Sequence, residues 1–463
     1  MLFSSLEFIF FFLPVTGAAF ALFRRWRIPS LALGSLALAS LVFYCWWKPG
    51  YLPLFVGSVV VNFIFGWCIR GPDRRSHRVL LFGLVANLGF LIWFKYASFF
   101  SEVAVQLGWA RNALSAHLLP LGISFFTFTQ ITYLVDRWRG LAPATSFMRY
   151  LLFVSFFPHL IAGPVLHHAQ MMPQLEKPEP TWTGFSSGLF LFAIGLSKKV
   201  VLADTVGTLV DAGFAQPTHL QTVYAWLVLV AFAVQLYFDF SGYSDMAIGL
   251  GKMFGVDLPW NFDSPYKSTS LAEFWRRWHM TLSNFFKDYV YIPLGGSRCG
   301  RFRCQFNLFL TMLLAGIWHG AGWTFILWGA LQGAGLAANH LWRRSPVRIP
   351  RPLGWSLTVT VVLLGWVLFR ATDLSQALLI YKHLFALESA GDFAHISLLG
   401  DETLLYVLLG LVLILGCPNA KALAVRFRPS LAWSTWTAVL FGLAMLFLLG
   451  NKKPQPEFLY FNF

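Results

Sequence analysis

The sequence predicts an all-α polytopic membrane protein with roughly 11 transmembrane helices, joined by re-entrant and interfacial helices. Three observations carry this. Of 463 residues, 57% are hydrophobic and only 12% charged, with a mean hydropathy of +0.62; a soluble domain carries roughly twice that share of charge. Apolar runs of about 20 residues, the length that spans a bilayer, recur along the chain. The net charge of +15 sits in short loops between those runs, the pattern of loops kept on the cytoplasmic face. The basic balance therefore points to a lipid bilayer as partner and away from nucleic acid. Phe 48 and Trp 20 suit a lipid-facing surface with aromatic belts.

Spans are expected near 6–23, 31–47, 52–69, 79–96, 118–135, 220–238, 353–369, 403–416 and 432–450, with ambiguous apolar stretches at 150–166, 184–203 and 307–342. The opening MLFSSLEFIFFFLPVTGAAFALFRR lacks a basic leader and is expected to remain as a span. RRWR (Arg24 to Arg27), RGPDRRSHR (Arg70 to Arg78) and DRWRG with Arg149 follow the first, third and fifth spans. Late in the chain, RRSPVRIPR (Arg343 to Arg351) and Lys421 to Arg428 repeat the pattern. With these loops cytoplasmic, both termini are expected on the outer side of the membrane. The stretch 371–402, with Asp373, Glu388, Asp392, Asp401 and Glu402 against Lys382, is expected to be external, as is the tail after Asn451. No internal repeat appears, so 1–463 is expected to form a single membrane-embedded domain.

The middle of the chain departs from simple spans. FFPHLIAGPVLHH (Phe156 to His168) interrupts an apolar run with Pro158, Gly163 and Pro164. It is expected to be a broken or re-entrant segment, tolerated at membrane depth only when buried in protein or lining a cavity. Residues 255–303 are too polar to span and are expected to form short helices against the membrane face.

Three stretches hold candidate chemistry. In AGIWHGAGWTF (Ala315 to Phe325), His319 lies inside a run, Asn307 to Trp342, without Asp, Glu, Lys or Arg. A neutral imidazole there is available as a base, and Gly316, Gly320 and Gly322 allow a helix break or a close substrate approach; a histidine hydrogen-bonded across helices is the packing alternative. In EFWRRWHMTLSNFFKDYVYIPLGG (Glu273 to Gly296), His279 stands among Trp275, Arg276, Arg277 and Trp278, with Lys287 following. A continuous helix would put Trp275 and His279 on one face at i,i+4. The arginines suit a phosphate-bearing thioester, or they snorkel from an interfacial amphipathic helix. In QLYFDFSGYSDMAIGLG (Gln235 to Gly251), Asp239 and Asp245 serve either a proton relay or helix ends. Cys45, Cys68, Cys299, Cys304 and Cys417 form no metal or disulfide pattern, and GxSxG, Walker and HExxH motifs are absent from the sequence.

FWRRWHMTLSNFFKDYVYIPLGG, NLFLTMLLAGIWHGAGWTFILWG, LYFDFSGYSDMAIGLG and FFPHLIAGPVL together resemble the membrane-bound O-acyltransferases. MLFSSLEFIFFFLP at the start and EFLYFNF at the end are similar to the bacterial branch that O-acetylates exopolysaccharides of the alginate and cellulose type. The resemblance covers nearly the whole chain, with four long motifs in order.

The resemblance implies a central tunnel open to a cytoplasmic acyl donor. His319 matches the family's nearly invariant histidine, and His279 matches its second motif position. Acetyl-CoA is then the expected donor substrate, with Arg276, Arg277 or Lys287 drawing its phosphates, and Trp275, Trp278 and Trp318 lining the donor site. His319 acts as general base on an acceptor hydroxyl; His279 orients the acceptor or supports the oxyanion. No metal and no bound cofactor are expected. The acetyl group is expected to pass to periplasmic acetyltransferase partners of a polysaccharide-secretion complex. Three alternatives remain: D-alanyl transfer to teichoic acid, an acyl or proton transporter, and a membrane anchor without chemistry.

Overall fold

A computed structural model describes residues 1–115, 119–176, 178–343, 345–386, 401–450 and 458–459. Helices make up every regular element among them. A π-helical turn, Phe8–Phe12, leads into α1 (Leu13–Arg25), followed by α2 (Pro29–Cys45) and α3 (Leu52–Cys68). Pro29 starts α2 after the non-helical Ile28, where a missing N–H costs nothing. In α4 (Arg74–Gln106) the Asp73 carboxylate accepts from the Ser76 amide at 2.8 Å and caps the start; these bonds hold the exposed Asp73 carboxyl below its ordinary pKa. Next comes α5 (Ile123–Trp138), which begins after Gly122 in the left-handed region at φ 67°.

The stretch 150–166 is broken as expected. α6 (Phe147–Ser155) stops at Phe156, α7 (Phe157–Leu160) is one turn, and α8 (His168–Glu176) follows an extended segment. All of 150–166 is buried, and side chains serve its irregular backbone. Ser40 Oγ accepts from the Phe157 amide at 3.1 Å, and Thr281 Oγ1 from the Val165 amide at 3.0 Å. This is how non-helical backbone survives where no water is available.

α9 (Trp182–Ser197), a π-helical stretch Lys198–Ala203 and α10 (Asp204–Ala215) run on from one another and lead to α11 (Thr222–Met253), the buried axis of the fold. Every residue from Ala231 to Gly251 is buried. Glycines let α9 and α11 touch backbone to backbone: a Cβ on Gly195 would lie 2.4 Å from the Gly242 carbonyl oxygen, and one on Gly188 2.5 Å from that of Gly249. Such small-residue seams drive helix association in lipid. The π-helical stretch carries Lys199, whose Nζ lies 2.7 Å from both Asp204 and Asp239, and Lys198, 2.6 Å from Asp245. Asp239 and Asp245 are therefore locked in buried ion pairs, which favours a structural role over a mobile proton relay.

Short helices α12 (Leu271–Arg277) and α13 (Met280–Phe286), then a π-helical turn Lys287–Tyr291, occupy the polar 255–303 region. The apolar 307–342 stretch is two helices, α14 (Arg301–His319) and α15 (Trp323–Trp342), which part at the extended Gly320 and Gly322. α16 (Arg351–Arg370) and α17 (Leu374–Phe385) follow; then α18 (Asp401–Gly416) and α19 (Ala420–Arg426), bent by 57°, and α20 (Leu431–Gly450). Residues 387–400 of the expected acidic loop lie outside the described residues. So does the tail, apart from Phe458 and Leu459. Phe458 is buried and stacks on Tyr243 at 4.6 Å, and the Leu459 amide donates to Asp239 at 3.0 Å.

Among the described residues six helices are long and apolar enough to cross a membrane, or seven counting the bent α18–α19 pair as one. The shortfall against eleven arises where expected crossings are short or broken: α2 and α5 have 17 and 16 residues. The chain is a multi-pass, all-helical membrane protein.

Glycine also sets the α14–α15 contact. A Cβ on Gly316 would stand 2.4 Å from the Phe325 carbonyl oxygen and 2.7 Å from Gly329 Cα. Gly316→Ala is expected to destabilise the fold by about 1–3 kcal/mol through overpacking. Gly442→Ala, at a position with nothing within 4 Å, is expected to be silent. Thermal unfolding of the detergent-solubilised protein compares the two.

Candidate functional site

His279 owes its place to a break rather than to a helix face. α12 ends at Arg277, Trp278 is extended, and His279 takes the left-handed conformation, φ 43° and ψ 54°, before α13 begins. Trp275 and His279 therefore do not share one helix, because the helix breaks between them. A non-glycine residue held there costs about 1–3 kcal/mol and persists only where its surroundings over-determine it. Asn261 supplies that constraint: its carbonyl oxygen accepts from the Met280 amide at 2.9 Å, and its Oδ1 accepts from Thr281 Oγ1 at 2.6 Å. The His279 ring stands edge-on to Phe240 of α11 at 4.7 Å.

His319 is the last residue of α14. Its ring is boxed edge-to-face by Trp318, Trp328 and Phe369, with centroids 4.9, 5.1 and 5.1 Å away. The helix end is held from α4. Lys95 Nζ donates to the Trp318 carbonyl at 2.6 Å and to that of His319 at 3.1 Å, and the Tyr96 hydroxyl donates to the Ile317 carbonyl at 2.6 Å.

Both histidines line one cavity of about 490 Å³, walled by α12, α13, α14 and α15. Trp275, Arg276, Trp278 and Lys287 line it too, so six of the eight residues expected at the site converge. Arg276, Asn284 and Lys287 are exposed and mark its mouth; Trp278, His279, Thr311, Ala315, His319 and Trp328 line its buried part. Lys287 Nζ also donates to Asn284 Oδ1 at 3.1 Å. Trp275 Nε1 donates to Gln332 Oε1 of α15 at 3.2 Å, which fixes the indole on the cavity wall.

Arg277 and Trp318 do not line it. Arg277 pairs with Glu273 at 2.7 Å. Burial pushes the Glu273 carboxyl up, but the Thr269 amide and Arg277 outweigh it and leave the group below its ordinary value. Trp318 faces the other way, stacked on Phe128 at 5.2 Å with Lys95 Nζ 5.7 Å from its centroid. Gly316 and Gly320 are likewise not open space: Gly316 faces Gly329, and a Cβ on Gly320 would meet the Phe325 ring at 2.2 Å, whereas one on Gly322 would meet nothing closer than 3.8 Å. They shape the helix break.

The π-helical turn at the mouth is tied to neighbouring elements. Tyr289 donates its hydroxyl to Asp136 Oδ1 of α5 at 2.9 Å, His167 Nδ1 lies 2.9 Å from the same hydroxyl, and Arg139 lies over the ring. Motif pattern does not single out Lys95, Asn261, Thr281 or Gln332. Lys95 does carry a signal, a charge inside the apolar 79–96 run, and such residues are costly enough to be functional by default. Asn261 and Thr281 carry none, since their partnership depends on the fold.

A helical membrane protein with two buried histidines in one internal cavity, under a basic mouth, is the class that fold and site define. The chain belongs to MBOAT, the membrane-bound O-acyltransferase family, whose profile matches residues 75–369, and it is an O-acyltransferase. It is 38% identical to a peptidoglycan O-acetyltransferase of Helicobacter pylori, over 100% of this chain and 98% of that protein. It is 45% identical to a probable alginate O-acetylase of Pseudomonas aeruginosa, over 83% of this chain and 75% of that protein. A teichoic acid D-alanyltransferase of Bacillus subtilis is 28% identical, over 45% of this chain and 56% of that protein.

Cavity access is testable with cysteines introduced into a chain whose five native cysteines are replaced by serine. Asn284→Cys at the mouth is expected to react rapidly with a water-soluble methanethiosulfonate. Ser124→Cys, buried behind Trp318 near Lys95, is expected to stay unlabelled under the same conditions, as read by mass shift.

Proposed function

We propose that the protein is a membrane O-acetyltransferase that takes acetyl from a cytoplasmic thioester, acetyl-CoA, and delivers it toward O-acetylation of a cell-envelope or secreted polysaccharide. The single observation that carries this is the shared cavity: a buried imidazole pair at His279 and His319, reached past the cationic side chains of Arg276 and Lys287. A guanidinium and an ammonium at the mouth suit the phosphates of a CoA donor. The π-helical turn at that mouth contacts Arg139 at the basic end of α5, which favours a cytoplasmic entrance by the distribution of basic loops.

In the proposed reaction an acceptor hydroxyl gives its proton to the neutral His319 imidazole as its oxygen attacks the thioester carbonyl. His279 donates a hydrogen bond to the oxyanion that forms. Collapse breaks the carbon–sulfur bond, and the thiolate leaves with the proton from the His319 imidazolium. The chemistry needs no resident cofactor.

Names of relatives support acetyl as the acyl group, since long matches at 38–45% identity are named peptidoglycan O-acetyltransferase and probable alginate O-acetylase. They also support a polymer as ultimate acceptor; in this reading the acetyl group crosses a bacterial inner membrane to periplasmic acetyltransferase partners. D-alanyl transfer draws on relatives that match about half of the chain at lower identity and is the weaker reading. The transporter reading loses its carboxylate relay candidates, Asp239 and Asp245, to the ion pairs of Lys199 and Lys198.

General base catalysis contributes about 10²–10⁴-fold. His319→Ala is therefore expected to remove at least about 99% of the ester-linked acetyl in the host's envelope polysaccharides while the protein still accumulates in the membrane. Alkali-released acetate, normalised to immunoblotted protein, is the readout; wild-type acetate would end the assignment of His319 as base.

A further inference from the structure

We propose that Lys95 is a positioning residue for acyl transfer: with Tyr96 it clamps the open end of α14 and so fixes the His319 imidazole in the cavity. The proposal rests on His319 being the base. It concerns a residue that does not line the cavity.

α14 stops at His319 because Gly320 is extended. The last carbonyls of a helix lack intrahelical partners, and this end is buried, where bare carbonyls are costly. Three consecutive carbonyls, those of Ile317, Trp318 and His319, instead accept from Tyr96 and Lys95. The side chains come from adjacent positions of α4, more than 200 residues away in sequence. Ser124 Oγ, 3.4 Å from Nζ, completes the environment. A buried lysine ordinarily needs a carboxylate; among the described residues Lys95 has none, and the helix end takes that place. A cation at a helix C-terminus is matched to the helix dipole.

Nothing helical follows His319 to hold its peptide plane. The Nζ–carbonyl bond at 3.1 Å restrains that plane, and with it the Cα–Cβ direction that aims the ring between Trp328 and Phe369. The ammonium also lies 5.7 Å from the Trp318 centroid and keeps that indole on the far side of α14. One side chain thus sets which of two adjacent aromatic rings faces the cavity. A displacement of about 1 Å at a reacting group costs about 10²-fold in rate, so a loosened helix end is read directly in turnover.

The test compares Lys95→Met, Lys95→Arg, Tyr96→Phe and His319→Ala in the host lacking its own copy. Ester-linked acetyl in the envelope polysaccharides is measured per folded protein, quantified by size-exclusion chromatography in detergent. Lys95→Met is expected to lose at least about tenfold of the acetyl per folded protein. Lys95→Arg, which keeps a charged donor, is expected to recover at least about half of the wild-type level, and Tyr96→Phe to fall between them. Wild-type acetylation by Lys95→Met overturns the proposal, as does Lys95→Arg no better than Lys95→Met, since packing alone would then explain the loss. Should Lys95→Met fail to accumulate, Tyr96→Phe decides: a severalfold loss at full accumulation supports the clamp, and unchanged acetylation overturns it. An active His319→Ala would sink the base assignment and this proposal with it. An inactive His319→Ala beside a fully active Lys95→Met sinks the clamp alone.

Discussion

A helix that ends buried inside protein must hand its last carbonyls to some donor, because each one left bare costs several kcal/mol. α14 ends there, and Lys95 and Tyr96 of α4 are the donors. Much of the site follows from that handover. The break lets α15 fold back along α14 with Gly316 against Gly329, places His319 at a helix terminus instead of mid-wall, and leaves room for α12 and α13 to close the cavity.

The other wall depends on a second set of buried interactions. α11 packs on α9 through glycines and is pinned by Lys198 and Lys199, whose partners Asp245, Asp239 and Asp204 lie on α11 and α10. Removing one partner from such a pair leaves an uncompensated charge in low dielectric, far costlier than the pair is favourable. Tyr243 on the same helix is sandwiched by Phe3 and Phe458, at 4.8 and 4.6 Å. Phe240, one helix position after the pinned Asp239, then meets the His279 ring. The left-handed turn at His279 therefore rests on a helix that cannot easily shift.

Much of this was legible in the sequence, and what was not has a physical reason. Hydropathy and charge placement gave the helical membrane class, the proline and glycine of 156–168 gave its broken segment, and the glycines around His319 gave the break between α14 and α15. Residue type alone could not give direction. Trp318 and His319 are neighbours, yet one faces the cavity and the other faces Phe128. Arg276 and Arg277 are neighbours too, yet Glu273 one turn away takes the second. Trp275 and His279 suggest a shared helix face only while the backbone is assumed continuous, and the left-handed turn held by Asn261 ends that. Asp239 and Asp245 looked like either relay groups or caps because their lysines lie about 40 positions earlier on another helix. Their partnership is tertiary.

The central claim is that one cavity seats a thioester between His279 and His319. The most direct measurement is a cryo-EM structure with a non-hydrolysable acetyl-CoA analogue. The account predicts its carbonyl within hydrogen-bond reach of the two imidazoles and its phosphates beside Arg276 and Lys287. An analogue bound elsewhere, or an empty cavity at saturating concentration, would contradict it.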